Sequence, residues 1–153
     1  MMTTYSKYID PYINKILNNE IEHCKEQELM INNIIIPTLE RKDVYIDEKR
    51  IEDGLSLQKY FPYKLIEWEV FLFALIIGVF FDNGDIVFND IRIIVGRGSG
   101  KNGFISYLSF YFLSPLHGIR GYNIDLLANS EDQAKTTFKD VYEIVKEPVK
   151  KSY

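Results

Sequence analysis

One cysteine, Cys24, and two histidines, His23 and His117, are the whole supply of thiol and imidazole groups in 153 residues. They are too few and too scattered for a disulfide framework or a Cys/His zinc site, which fits a reducing intracellular compartment. His23 and Cys24 adjoin in sequence and leave a helix in different directions, so no shared ligand role is assigned to them. Long apolar runs are missing too. The longest, 70–81, is interrupted only by Gly78 and reaches about half of the ~20 residues a membrane span needs, so it reads as a buried helix. The N-terminus is not followed by an uncharged apolar stretch and a small-residue cleavage site, which argues against secretion. Positive charge is also short: 18 Lys and Arg stand against 22 Asp and Glu, a formal charge of -4. No global field therefore draws in nucleic acid, and any DNA contact has to come from local clusters such as Lys146, Lys150 and Lys151.

What is present suits a folded domain with a core: 46% hydrophobic and 26% charged residues, without internal repeats or low-complexity tracts. Asp10-Pro11 reads as an N-cap followed by proline at the first helical position. Ile13, Leu17, Ile21 and Cys24 then share a face, which predicts an amphipathic helix over the first thirty residues. Residues 31–58 carry Pro37 and a mixed-sign charged stretch that reads as solvated helix faces and a connector. A helical region over 60–81 follows, apolar nearly all round and closed by the turn signal Asp82-Asn83-Gly84-Asp85. The β-branched run 90–95 predicts a strand ending in a glycine-rich loop, and eight apolar or aromatic residues of the twelve in 102–113 predict an enclosed helix ended by Ser114-Pro115. A second strand is expected over 122–128. Ser130 to Gln133 reads as a capping box opening a helix with buried Ala134, Phe138, Val141, Tyr142 and Val145, stopped by Pro148. This alternation implies an α/β fold, a parallel sheet joined by a right-handed crossover and flanked by helices, behind a helical leader over 1–58.

The clearest chemistry lies in Gly96-Arg97-Gly98-Ser99-Gly100-Lys101-Asn102, between an expected strand and an expected helix. Glycines let the backbone curl closely around a phosphate, its N–H groups and the helix N-terminus supply partial positive charge, and Lys101 reaches the β- and γ-phosphates. Arg97 adds a second cation. The P-loop (Walker A) pattern GxxxxGK[ST] is met incompletely: Val95 occupies the first glycine position, and Asn102 replaces the hydroxyl that ligates Mg²⁺. The same string also suits a glycine-rich turn capping a strand, with Lys101 merely solvated.

The loop, its continuation Gly103-Phe104-Ile105-Ser106, and residues 122–135 with Ala128-Asn129-Ser130-Glu131-Asp132-Gln133-Ala134 resemble the start of the terminase large subunit of tailed phages of low-GC Gram-positive bacteria. That viral hydrolase is the ATP-driven motor and nuclease that packages double-stranded DNA into the capsid. The resemblance runs from about 60 to 145. It turns both departures into family features and implies a P-loop NTPase-type parallel sheet, incomplete here, over 59–153. It implies ATP and Mg²⁺ as cofactors, with Lys101 and Arg97 as catalytic groups. Gly96, Gly98, Ser99 and Gly100 become phosphate-loop residues and Asn102 the magnesium-side residue. Trp68 and Glu69 become candidates for the adenine site, although from the residues alone Trp68 reads rather as a core aromatic. Double-stranded DNA, a small terminase subunit and a portal protein are the implied partners of the full-length protein, and the bacterial host cytoplasm its location.

Phosphoryl transfer to water also needs acids on Mg²⁺ and on the attacking water, normally after a later apolar strand. No such strand follows Lys101, so the chain reads as a truncated piece that holds nucleotide without turning it over. A non-catalytic anion-binding or interaction module, and another P-loop protein such as a helicase or small kinase, are the other readings of the same residues.

Overall fold

The computed structural model describes residues 4–150, and all of their side chains except those of 133 and 147–150. The chain divides into two compact units, Met1–Glu52 with Ile66–Ile91, and Asp53–Leu65 with Arg92–Tyr153.

The first unit opens with helix α1 (Asp10–Leu17), which buries Tyr12, Ile13 and Ile16. Asp10 stands one position inside the helix, and its carboxylate accepts the backbone N–H groups of Tyr5 and Ser6. The helix ends earlier than the sequence pattern implies, because Asn19 turns the backbone left-handed at φ 57°. Ile21 and Cys24 therefore lie beyond it. A second helical run consists of α2 (Lys25–Met30), a π-helical turn (Ile31–Ile35) and α3 (Ile36–Leu39). Pro37 has no N–H to donate and its ring crowds the carbonyl four residues back, which accounts for the widened turn just before it. Ile31, Ile35 and Leu39 face the core.

Strand β1 (Val44–Ile46) pairs antiparallel with β2 (Val79–Phe81), with Tyr45 opposite Phe80. Helix α4 (Glu48–Leu55) follows β1, and α5 (Glu67–Gly78) leads into β2. α5 is apolar all round because Phe71, Phe73, Ala74, Leu75, Ile76 and Ile77 are all buried. A hairpin turn at Gly84 returns the chain so that Ile86 bridges Phe80. The expected helix over 60–81 thus resolves into a 3-10 turn (Ser56–Tyr60), an irregular link, α5 and a strand.

The second unit is built around α6 (Lys101–Leu113), the helix expected over 102–113. Its Phe104, Tyr107 and Tyr111 are fully buried. Phe61 packs on Tyr107 with ring centres 4.8 Å apart and meets Phe110 edge-on at 5.5 Å. The Tyr107 hydroxyl donates to the Gly54 carbonyl at 2.8 Å, and burial pushes its phenol above the ordinary range. After the 3-10 turn Pro115–His117 and an irregular stretch, α7 (Glu131–Lys150) packs on α6. The helix runs through position 148 rather than stopping there. A proline forfeits one intrahelical bond, and near the end of a helix that loss is small against the turns already made.

The parallel sheet is not found. Among the described residues the only sheet is the antiparallel pair β1–β2, and the fold is mostly helical. Residues 90–95 and 122–128 join no ladder. Their β-branched and apolar composition favours a strand only where a neighbour supplies the hydrogen bonds and a surface to pack on. Ile94 and Leu127 instead stand almost fully exposed, at 95% and 96%.

Candidate phosphate-binding site

The glycine-rich segment sits at the N-terminal end of α6. Gly98 and Gly100 are both left-handed, φ 82° and 84°, a conformation that side-chain-bearing residues resist. Ser99, between them, donates its hydroxyl to the Gly96 carbonyl at 2.6 Å and so pins the loop. The first helical bond runs from the Phe104 N–H to the Gly100 carbonyl at 3.0 Å. The N–H groups of Lys101, Asn102 and Gly103 precede the reach of that ladder and face out of the helix end.

No side chain caps this end, and no acid stands in its first turn. In the described helices of eight residues or more, the contrast is plain: α1, α4, α5 and α7 all carry Asp or Glu there. Those carboxylates offset the positive end of the helix dipole, whereas α6 opens with a lysine. The N-terminal end of α6 thus carries no such carboxylate in its first turn.

A cleft of about 750 Å³ opens here, lined by residues 95–103 and 126–129 together with Ile105, Ala134, Thr136 and Thr137. Its size falls within the range of small-molecule sites. Ser106 lies 2.9 Å from Asp140 Oδ2, one turn farther along both helices, so α6 and α7 run in the same direction. Both of their N-terminal ends therefore meet the cleft. Gly103 is held close beneath by Tyr63, whose hydroxyl donates to its carbonyl at 2.9 Å, and whose ring stands 3.3 Å from where a Cβ would be.

Seven of the residues singled out from sequence, Gly96 through Asn102, are brought together on this cleft, with Arg97 and Lys101 exposed. Trp68 and Glu69 are not part of its lining and belong to the first unit. Trp68 is half-buried. Glu69 is only 4% exposed, and its carboxylate accepts the Ile66 N–H at 2.9 Å, closing the start of α5. Burial raises its pKa, partly countered by that bond. The side chain of Gln133, expected to complete a capping box, lies outside the described residues, as do the side chain of Lys150 and all of Lys151. Lys146, the remaining member of the basic cluster, sits over the Tyr142 ring at 5.3 Å.

The residues fit a phosphate better than they fit a resident metal ion. Among the described residues no group of three or more His, Cys, Asp or Glu is placed to hold one. The neutral amide of Asn102 on the cleft would serve a Mg²⁺ ion chiefly as an addition to phosphate oxygens and water.

Thr137 is the residue that sequence reasoning missed. Of the apolar stripe expected on α7, Ala134 and Val141 are partly covered, whereas Phe138, Tyr142 and Val145 are 64%, 51% and 54% exposed. The covered stripe is Ala134, Thr137, Val141 and Ile144, at the 3-4-3 spacing of a helix face. Its periodicity was the available signal, and the larger aromatics beside it masked it.

Comparison with protein-family models, with curated proteins and with solved structures gives no match. Among the described residues no helix is long and apolar enough to cross a membrane.

Proposed function

We propose that the cleft at the start of α6 binds the phosphates of a nucleoside triphosphate, ATP with Mg²⁺, and that the chain is the nucleotide-binding part of a terminase-like DNA-packaging motor. The observation that carries the first statement is the helix end itself: a turn with two left-handed glycines and outward N–H groups, lacking both cap and acid and flanked by Arg97 and Lys101. Backbone donors and a helix dipole aimed at one point favour an anion, and two mobile cations suit a polyphosphate. The motor assignment is supported by the sequence resemblance of the loop and of residues 122–135, without the parallel sheet that resemblance implied. Such a motor works in the bacterial host cytoplasm with double-stranded DNA, a portal and a small terminase subunit.

The test is thermal melting of the chain with and without ATP and Mg²⁺, beside Lys101→Ala. Ligand at about 100 times its Kd adds roughly 2.7 kcal/mol, which for a protein of this size is on the order of 5–10 °C. That rise is expected in the parent and absent in the variant. Equal rises in both would remove Lys101 and the loop from the site.

A further inference from the structure

We propose that Tyr63 is a positioning residue of the phosphate cleft, its hydroxyl acting through two backbone peptide units in series on the Lys101 N–H that faces the ligand. The inference rests on the nucleotide reading above and adds a group that comes from outside the loop. The Tyr63 hydroxyl donates to the Gly103 carbonyl at 2.9 Å. That carbonyl belongs to the same peptide unit as the Phe104 N–H, which donates to the Gly100 carbonyl at 3.0 Å. The Gly100 carbonyl in turn shares its peptide unit with the Lys101 N–H, the first of the three that face out of the helix end. Each bond in such a chain polarises the next by roughly 10–30%, so a donor on the Gly103 carbonyl makes Lys101 a better donor to phosphate.

Orientation adds to polarisation. Gly100 is left-handed at φ 84° and Gly103 lies in the first turn of α6, so both ends of this short chain of peptide units lack a side chain to restrain the backbone. Tyr63 supplies the restraint from outside. Its ring stands 3.3 Å from where a Gly103 Cβ would be, and its hydroxyl holds the carbonyl. The tyrosine is itself anchored: Phe61 meets its ring edge-on at 5.3 Å and packs on the fully buried Tyr107 of α6. The segment 61–63 thus rests on α6 at two points, Tyr107 and Gly103. A phosphate then meets N–H groups already aimed at it, which spares the ordering that binding to a loose turn would cost.

Isothermal titration of the full chain with ATP and Mg²⁺ tests the inference in the parent, Tyr63→Phe and Lys101→Ala, each first checked by a melting curve. Phenylalanine keeps the ring and removes the donor, and affinity is expected to fall about fivefold. The Lys101 amide gives a second readout that a merely structural hydroxyl would not move. In the ligand-free Tyr63→Phe chain its NMR proton resonance is expected upfield of the parent's, and its downfield shift on saturation with inorganic phosphate is expected to be smaller. Should phenylalanine unsettle the fold, Tyr63→Met, which also fills the space without a donor, is expected to show the same two losses. Parent-like affinity in the folded variant, or an unmoved Lys101 resonance, with binding lost in Lys101→Ala, would overturn the role of Tyr63 and leave the loop standing. Absence of binding in the parent, or parent-like binding in Lys101→Ala, would remove both.

Discussion

Glu69 shows how one side chain can satisfy two readings from sequence while the structure favours one. A buried carboxylate beside a tryptophan invites a role at a base-binding site, yet its oxygen is spent on the Ile66 N–H at the start of α5. Burial raises its pKa above the ordinary 4.5. A carboxyl whose pKa is higher folded than unfolded contributes stability in full below the unfolded value, and loses it as pH rises through the folded one. Glu69→Gln keeps an oxygen for Ile66 and removes the titration. Relative to the parent, the variant is therefore expected to gain most at neutral pH, with its advantage shrinking as pH falls through the raised folded pKa towards 4.5 and levelling off below it. Melting temperatures of the two proteins across that range check this. A difference independent of pH would mean that Glu69 titrates alike in the folded and unfolded chain.

Among the elements, α6 was legible because the ten residues 104–113, free of glycine, rich in aromatics and bounded by Gly103 and Ser-Pro, admit little else. The glycine loop was equally legible, since its conformation depends on local backbone freedom. The two expected strands were not, because a strand is completed by its neighbour and the composition of 90–95 or 122–128 says nothing of who that neighbour is. The same limit applies to α5: periodicity cannot locate the point where an all-apolar helix gives way to strand β2. Gly78 marks that point. A Cβ there would stand 2.3 Å from Ile51 Cγ1, and Ile51 is fully buried. Alanine favours a helix interior by about 1 kcal/mol over glycine, whereas overpacking a core costs roughly 1–3 kcal/mol. The clash wins, so Gly78→Ala is expected to lower the denaturant midpoint at an unchanged slope. An unchanged or higher midpoint would show that α4 moves aside at little cost.

At the scale of the whole molecule, the chemistry gathers in one unit. The loop, the start of α6, Thr137 and the cleft all belong to Asp53–Leu65 with Arg92–Tyr153, while Trp68 and Glu69 belong to the other. Nucleotide binding on this account does not draw on a parallel sheet; it rests on one uncapped helix end, two left-handed glycines and a facing helix. The measurement that tests this most directly is a titration of the isotopically labelled chain with inorganic phosphate and then with ATP and Mg²⁺, followed at the backbone amides by NMR. The amides of residues 98–103 are expected to move first and to saturate, with the largest shifts at Gly100, Lys101 and Asn102. Saturating shifts centred elsewhere, with these amides unmoved, would contradict the central claim that this helix end holds the phosphates.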